Sequence, residues 1–128
     1  MLWPALTRYG DWALLALRFM NATVFFSSGL SHVRDPKKRG ARIGASPGVT
    51  LLLGAAEIAG AFGVATGILI QPAALGLILV MLAAIQKKIF VWKTGFWGEK
   101  ASGWHYDLML ILMNLILLTF GGGRFVLL

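Results

Sequence analysis

The sequence predicts an all-α, integral membrane four-helix bundle, and three observations support this fold class. The chain has 128 residues, of which 58% are hydrophobic and only 13% are charged. Soluble domains are about 45–50% apolar and about 25% charged, so the composition indicates a membrane protein. The mean hydropathy is +0.76. Four apolar runs with short polar connections then fit a single domain over residues 1–128.

The first predicted span covers about residues 11–33 and follows an aromatic, basic lead-in. We do not expect a cleaved signal peptide, because Arg18 and Asn21 interrupt the apolar run and no small-residue cleavage site follows it. Residues 34–47 carry five basic residues, two prolines and two glycines, a composition that predicts a loop.

The remaining predicted spans cover about residues 48–69, 72–92 and 104–120. Gln71 and Pro72 are expected to form a tight turn between the second and third spans, because proline is favoured where a helix starts. Residues 93–103 are polar and glycine-containing, and they predict a second loop. Three consecutive glycines end the fourth span.

Lysine and arginine are distributed unevenly between the two sides of the predicted bundle. Five lie within residues 34–47 and four lie in or beside the second loop, whereas the opposite side has only Arg8 and Arg124. This bias predicts that loops 34–47 and 93–103 are cytoplasmic and that both termini lie outside, in a prokaryotic plasma membrane. We therefore interpret the net charge of +7 as a topology signal and expect no nucleic-acid partner.

Polar residues inside the predicted spans are spaced to share helix faces. The first span has such a stripe at intervals of three and four: Arg18, Asn21, Phe25, Ser28 and His32. The second span places Glu57 among the small residues of Gly54–Gly67, which favour close helix packing. Asp107 and Asn114 lie on one face of the fourth span. Because lipid is a poor partner for these groups, we expect them to face the bundle interior.

The depths of these residues suggest which of them meet. With a rise of about 1.5 Å per residue, Arg18 and Glu57 differ in depth by only about 6 Å, so we predict that they pair. A second cluster is expected near the cytoplasmic face, formed by His32, Gln86, His105 and Asp107. Two interpretations of the Arg18–Glu57 pair stay open. It is either an ion pair that fixes helix register, or part of a site for a quinone-like lipophile or a proton relay.

Several kinds of chemistry are disfavoured by the residues themselves. The chain has no cysteine, which excludes disulfide exchange, thiolate nucleophiles and iron–sulfur ligation by this chain alone. No nucleophile, base and orienting group stand at a recognisable spacing, so no catalytic residue is assigned. His32 and His105 either bond to neighbours or hold a haem or a metal. The spacing of His105 and Asp107 does not favour a chelate, and we expect no metal site.

The order of these motifs resembles the DoxX family of small four-helix membrane proteins over nearly the whole chain. The matching residues are Leu17, Arg18, Gly29 and His32 in the first span, Gly54, Glu57, Ala59 and Gly60 in the second, and Gly121, Gly123, Arg124 and Leu127 in the tail. Three positions depart from the family pattern. Asn21 replaces a usual glycine, His32 a common lysine, and Leu128 a terminal aspartate.

The resemblance implies a membrane subunit linked to quinone or sulfur redox chemistry, as in the thiosulfate:quinone oxidoreductase small subunits. Our first hypothesis is an accessory or quinone-interacting subunit of a membrane redox complex, with a quinone as the candidate cofactor. The candidate binding residues are Arg18, Asn21, His32, Glu57 and Asp107. The alternatives are a structural or assembly subunit without a ligand, and a carrier built as a homo-oligomer. The expected partners are membrane lipid and either other membrane or redox subunits or further copies of this chain.

Overall fold

A computed structural model describes residues 2–91, 93, 95–97 and 103–126 of the chain. Within these residues the regular structure is all helical, which confirms the predicted fold class. There are five α-helices in the described chain, so the predicted number of four is wrong. They are α1 (Gly10–Arg34), α2 (Pro36–Ile43), α3 (Pro47–Thr66), α4 (Ile70–Gln86) and α5 (Trp104–Phe120). A 3-10 turn at Pro4–Tyr9 leads into α1, and a π-helical turn at Lys87–Val91 extends α4.

The additional helix, α2, lies inside the region predicted as the loop 34–47. Asp35 caps its start, and the carboxylate oxygen Oδ1 accepts the backbone N–H of Lys38 at 3.2 Å. Pro36 occupies the first turn, where a missing N–H costs nothing. Gly44 ends the helix in the left-handed conformation, with φ of 73°. The proline and glycine interpreted as loop residues are therefore start and stop signals of a short helix.

The turn between α3 and α4 also differs from the prediction. Ser46 caps the start of α3, and Gly67 ends it with φ of 79°. The chain then turns through Leu69, whose φ of 49° is unusual for a residue with a side chain. Gln71 and Pro72 lie within the first turn of α4, so the predicted tight turn at these two residues is wrong. Proline is tolerated there because the first turn leaves its N–H groups unpaired.

Three helical segments of the described chain are long and apolar enough to cross a membrane, namely Pro4–Arg34, Pro47–Thr66 and Ile70–Val91. The fourth apolar helix, α5, has 17 residues and spans about 26 Å, slightly less than a hydrocarbon core of about 30 Å. The observed α1 and α5 agree with the predicted spans to within one residue at each end. Trp92, the predicted end of the third span, lies outside the described residues.

The four long helices pack in a ring in the order α1, α3, α4, α5, and α5 returns to contact α1. The shorter α2 contacts α1 and α3. The centre of the ring is filled by side chains that are almost completely buried, including Phe25, Val64, Leu77 and Leu117. Many large apolar side chains face outward instead, among them Phe19, Leu52, Leu79 and Met109. Such an apolar exterior is expected for a surface that contacts lipid.

The backbones of α1 and α3 are in contact at two glycines. A Cβ atom added at Gly29 would lie 2.7 Å from the Gly54 carbonyl oxygen, and one added at Gly54 would lie 2.8 Å from that of Gly29. Neither position has space for a side chain, and the two helix backbones are in contact there. The prediction that the small residues of the second span permit close packing is therefore confirmed.

The two ends of the bundle carry different groups. We call the end formed by α2, the C-terminal end of α4 and the start of α5 the basic end. The opposite end holds residues near both chain termini and the turn between α3 and α4, and we call it the terminal end. The termini are joined through Asp11, whose carboxylate accepts the backbone N–H of Arg124 at 3.1 Å and lies 3.7 Å from its guanidinium Nε.

Candidate functional site

The polar stripe predicted on the first span faces the bundle interior. Arg18, Asn21 and His32 on α1 are all buried, and Glu57 on α3 and Asp107 on α5 are buried as well. All five candidate binding residues are therefore inside the protein, as their spacing predicted. They do not form one site, because they are distributed over the length of the bundle in separate groups.

Arg18 is bound by backbone carbonyl groups at the terminal end. Its three guanidinium nitrogens donate hydrogen bonds of 2.6–3.2 Å to the carbonyl oxygens of Val64, Ala65, Gly122 and Phe125. Two of these carbonyls belong to the last turn of α3 and two to the tail after α5, where a helix no longer supplies N–H partners. Arg18, which is 1% exposed, thus joins the ends of two helices to α1.

The predicted Arg18–Glu57 pair is wrong. Glu57 lies level with Gly29, since a Cβ atom added at Gly29 would be 3.1 Å from the Glu57 Cβ. Arg18 precedes Gly29 by eleven residues, which is about 16 Å along the helix. The prediction underestimated this separation because it placed the helices by their estimated ends. The contact between Gly29 and Gly54 fixes the actual register.

Asn21 and Asn114 form a reciprocal amide pair between α1 and α5. The Asn21 Nδ2 donates to the Asn114 Oδ1 at 2.8 Å, and the Asn114 Nδ2 donates to the Asn21 Oδ1 at 3.1 Å. The Asn114 amide also donates to the carbonyl oxygen of Leu110 at 2.8 Å. Both side chains are completely buried. This pairing accounts for the polarity of both residues without any ligand.

Glu57 and His32 meet near the basic end. The His32 Nδ1 lies 3.5 Å from the Glu57 Oε2 and donates a hydrogen bond of 2.7 Å to the Ser28 carbonyl oxygen. Glu57 is 3% exposed and His32 is 6% exposed. The two side chains can approach because the glycine contact between α1 and α3 lies directly beside them. A Cβ atom added at Gly54 would be 2.8 Å from the His32 Cβ.

Two further groups surround the Glu57 carboxylate. The Ser28 side chain and the Arg39 guanidinium both interact electrostatically with it. Nevertheless, the Glu57 Oε2 and the Arg39 Nε are buried without a hydrogen-bond partner. We call His32, Glu57, Arg39 and Ser28 the Glu57 cluster. It contains a buried acceptor and a buried donor that the described protein does not satisfy, which is rare in folded proteins.

A second ionic pair joins α5 to the end of α4. Lys88, in the π-helical turn, places its Nζ 3.1 Å from the Asp107 Oδ2 and 5.5 Å from the ring centre of Tyr106. Asp107 is 2% exposed. Tyr106 lies within electrostatic range of both Asp107 and Glu57. The ionic pair is therefore a neighbour of the Glu57 cluster at the basic end.

The predicted cluster is wrong, because the structure does not bring its four members together: His32, Gln86, His105 and Asp107. His32 pairs with Glu57, Gln86 is exposed, and the His105 Nδ1 hydrogen-bonds the Phe96 carbonyl oxygen at 2.6 Å. Arg39 and Lys88 were not among the predicted site residues, because Arg39 lies in the region predicted as a loop and Lys88 contributes to the prediction only through the charge bias. Among the described residues, no three acidic or histidine side chains are placed to hold a metal ion.

A cleft of about 440 Å³ opens at the terminal end, between the α3–α4 turn and the glycine-rich tail. Its lining includes Gln71, Thr119, Gly122 and Val126, and none of its lining residues is ionisable. The Gln71 amide is already bonded to the Leu118 carbonyl oxygen at 2.9 Å. This cleft offers no acid–base chemistry, so the Glu57 cluster is the stronger candidate for a functional site.

These features define an all-α, multi-pass membrane protein with ionisable groups turned inward. The sequence profile of the DoxX family matches residues 13–93, which is more than half of the chain. The chain therefore belongs to the DoxX family. The matched region contains Arg18, His32 and Glu57 and ends before α5. No curated protein and no solved structure matches the chain.

Proposed function

We propose that this DoxX protein is a quinone-interacting subunit of a membrane redox complex, and that the Glu57 cluster holds the polar head of the quinone. The observation that carries the proposal is the buried Glu57 Oε2, which has no hydrogen-bond partner although it lies within a membrane helix. An unsatisfied carboxylate oxygen is costly in that environment, and a bound ligand would remove the cost.

The chemistry of the cluster fits a quinone head. A quinol hydroxyl donates to the Glu57 carboxylate, and a quinone carbonyl accepts from the Arg39 Nε, which is the unpartnered buried donor. A bound quinone supplies two-electron, two-proton redox chemistry. The role of the chain is to bind and orient the head and to hold a proton at the Glu57 carboxylate or the His32 imidazole.

Electrons must then come from another subunit. The 128 residues contain no cysteine, so the chain has no thiol to exchange electrons with a sulfur substrate. We therefore propose a redox partner protein in the same membrane.

The candidate binding residues take different roles. Asp107 and Lys88 border the cluster and would change its electrostatic potential, whereas Arg18 and Asn21 would only stabilise the packing of the helices. This assignment narrows the five candidate binding residues to His32, Glu57 and Asp107.

Native mass spectrometry and lipid extraction of gently solubilised protein test the proposal. We expect a quinone to co-purify with the wild type and to be depleted in Glu57→Gln. Asp11→Asn is the matched control, because it neutralises a carboxylate at the terminal end, 36% exposed at its side chain. Wild-type protein that carries only phospholipid would contradict quinone binding.

We also propose that the basic end faces the cytoplasm of a prokaryotic cell. The sequence assigns nine lysine and arginine residues to that side and only Arg8 and Arg124 to the other, which supports this orientation. Because the chain has no cysteine, single cysteines introduced at Lys37 and at Ala5 can be labelled separately. An impermeant maleimide applied to intact cells is expected to label only the Ala5→Cys variant. Labelling of only the Lys37→Cys variant would reverse the orientation.

The second candidate function is a structural or assembly subunit without a ligand. It is favoured by Arg18 and by the Asn21–Asn114 pair, which have complete sets of protein partners. Replacing His32 and Glu57 together by leucine separates the two candidates. A structural subunit tolerates this change, since a buried polar pair can often be exchanged for apolar side chains without loss of stability. A quinone-binding subunit loses its quinone.

A further inference from the structure

A group of basic side chains on and beside α2 points away from the protein. Arg34, Lys37 and Lys38 are all exposed. In the described part of the chain, none of these three side chains forms an ion pair or a hydrogen bond. The neighbouring carboxylate of Asp35 accepts the backbone N–H of Lys38 as the helix cap. We call the three side chains the α2 basic face.

The fold holds the α2 basic face at the level of the membrane surface. α1 ends at Arg34 and α3 begins at Pro47, so α2 connects the ends of two helices long enough to span a bilayer. Gly40 attaches α2 closely to the bundle. A Cβ atom added there would lie 2.6 Å from the Ala45 carbonyl oxygen and 2.8 Å from the Thr50 Oγ1. The basic side chains therefore cannot move far from the headgroup region.

The cations of the terminal end are arranged differently. Arg8 donates a hydrogen bond of 2.8 Å to the hydroxyl of Tyr9, and Arg124 lies 3.7 Å from the Asp11 carboxylate. Within α2 itself, Arg39 interacts electrostatically with the Glu57 carboxylate. Arg8, Arg124 and Arg39 each interact with a group of the protein. The α2 basic face instead places three cations side by side, and none of them has a partner in the described protein.

We propose that the α2 basic face binds the phosphate-bearing headgroups of anionic phospholipids in its own leaflet. Such headgroups carry a net negative charge at the depth where the three side chains lie, whereas phosphatidylcholine is neutral overall. Each lysine or arginine near an anionic lipid surface increases the affinity for that surface by about fivefold. This inference does not depend on quinone binding, because it uses different residues and a different ligand.

Native mass spectrometry of the full chain in detergent tests the proposal. The probe is an equimolar mixture of dioleoyl phosphatidylglycerol and dioleoyl phosphatidylcholine, which share their acyl chains. We expect the wild type to retain phosphatidylglycerol preferentially, and Lys37→Gln/Lys38→Gln to reduce that preference by about 25-fold, about fivefold for each lysine removed. Arg8→Gln/Arg124→Gln removes the same number of charges at the terminal end and is expected to keep the preference.

Three results would overturn the proposal. The first is a wild type that retains both lipids equally. The second is an equal loss of preference in the two double variants, because net charge alone would then explain it. The third is displacement of phosphatidylglycerol by inorganic phosphate more effectively than by chloride at the same ionic strength, which would identify a site for free oxyanions. Displacement by both salts to the same extent is the expected screening of a lipid surface.

Discussion

The terminal and basic ends of the bundle bury polar side chains in different ways. At the terminal end, Arg18 donates to four backbone carbonyl groups, and farther along α1 the amides of Asn21 and Asn114 satisfy each other. At the basic end, the buried Glu57 Oε2 and the buried Arg39 Nε have no hydrogen-bond partner among the described residues. Buried polar groups with a full set of hydrogen bonds stabilise one arrangement of helices, whereas groups without a partner can still bind a ligand or a proton.

The largest effect on stability is expected from Arg18→Met. This change leaves the four carbonyl groups without their donor while keeping a side chain of similar length. We expect the free energy of unfolding in detergent to fall by about 3 kcal/mol or more. Arg8→Met is the control, since Arg8 is exposed and should change stability by about 0.5 kcal/mol or less. Equal effects of the two variants would show that Arg18 does not hold the terminal end together.

A smaller loss is expected at the glycine contact that serves the basic end. Gly29→Ala places a methyl group 2.7 Å from the Gly54 carbonyl oxygen and should cost about 1–3 kcal/mol in chemical unfolding. Gly76→Ala makes the same change on α4, where nothing lies within 4 Å, and should stabilise the protein by about 0.5–1 kcal/mol. If both variants changed the free energy of unfolding in the same direction, the contact between α1 and α3 at Gly29 would be contradicted.

The amide pair is expected to show a loss of about 1 kcal/mol for either Asn21→Leu or Asn114→Leu, because each single change leaves a buried amide without its partner. The double variant should lose less than the sum of the two. Unfolding measurements on all four proteins give the coupling energy directly. Additive losses would indicate that the two side chains do not depend on each other.

The smallest change in stability is expected from Glu57→Gln. The substituted amide keeps the shape of the side chain, removes a buried charge and gives up no hydrogen bond at Oε2. The free energy of unfolding, measured by thermal denaturation, should therefore change by less than about 1 kcal/mol. A loss of stability as large as that of Arg18→Met would show that Glu57 stabilises the fold. The polar groups of the two ends would then have the same structural role.

The sequence predicted membrane insertion and helix faces better than it predicted partners. The spacing of Arg18, Asn21 and His32 was sufficient to place them inside, because a helix repeats every 3.6 residues. The partner of Arg18 could not be inferred, since backbone carbonyl groups carry no sequence signal. Lys88 and Asp107 meet through a π-helical turn, which the composition does not encode. α2 was predictable in principle from Asp35, Pro36 and Gly44, but its charge suggested a loop.

One binding measurement tests the central claim that the basic end is functional and that the Asn21–Asn114 pair is structural. A short-tailed quinone is titrated into purified wild type, Glu57→Gln and Asn21→Leu/Asn114→Leu, after circular dichroism has confirmed that all three are folded. We predict that the dissociation constant rises about tenfold or more for Glu57→Gln, the loss of one charged hydrogen bond, and stays near the wild-type value for the amide variant. Equal affinities for all three proteins, or weakening only in the amide variant, would contradict the account.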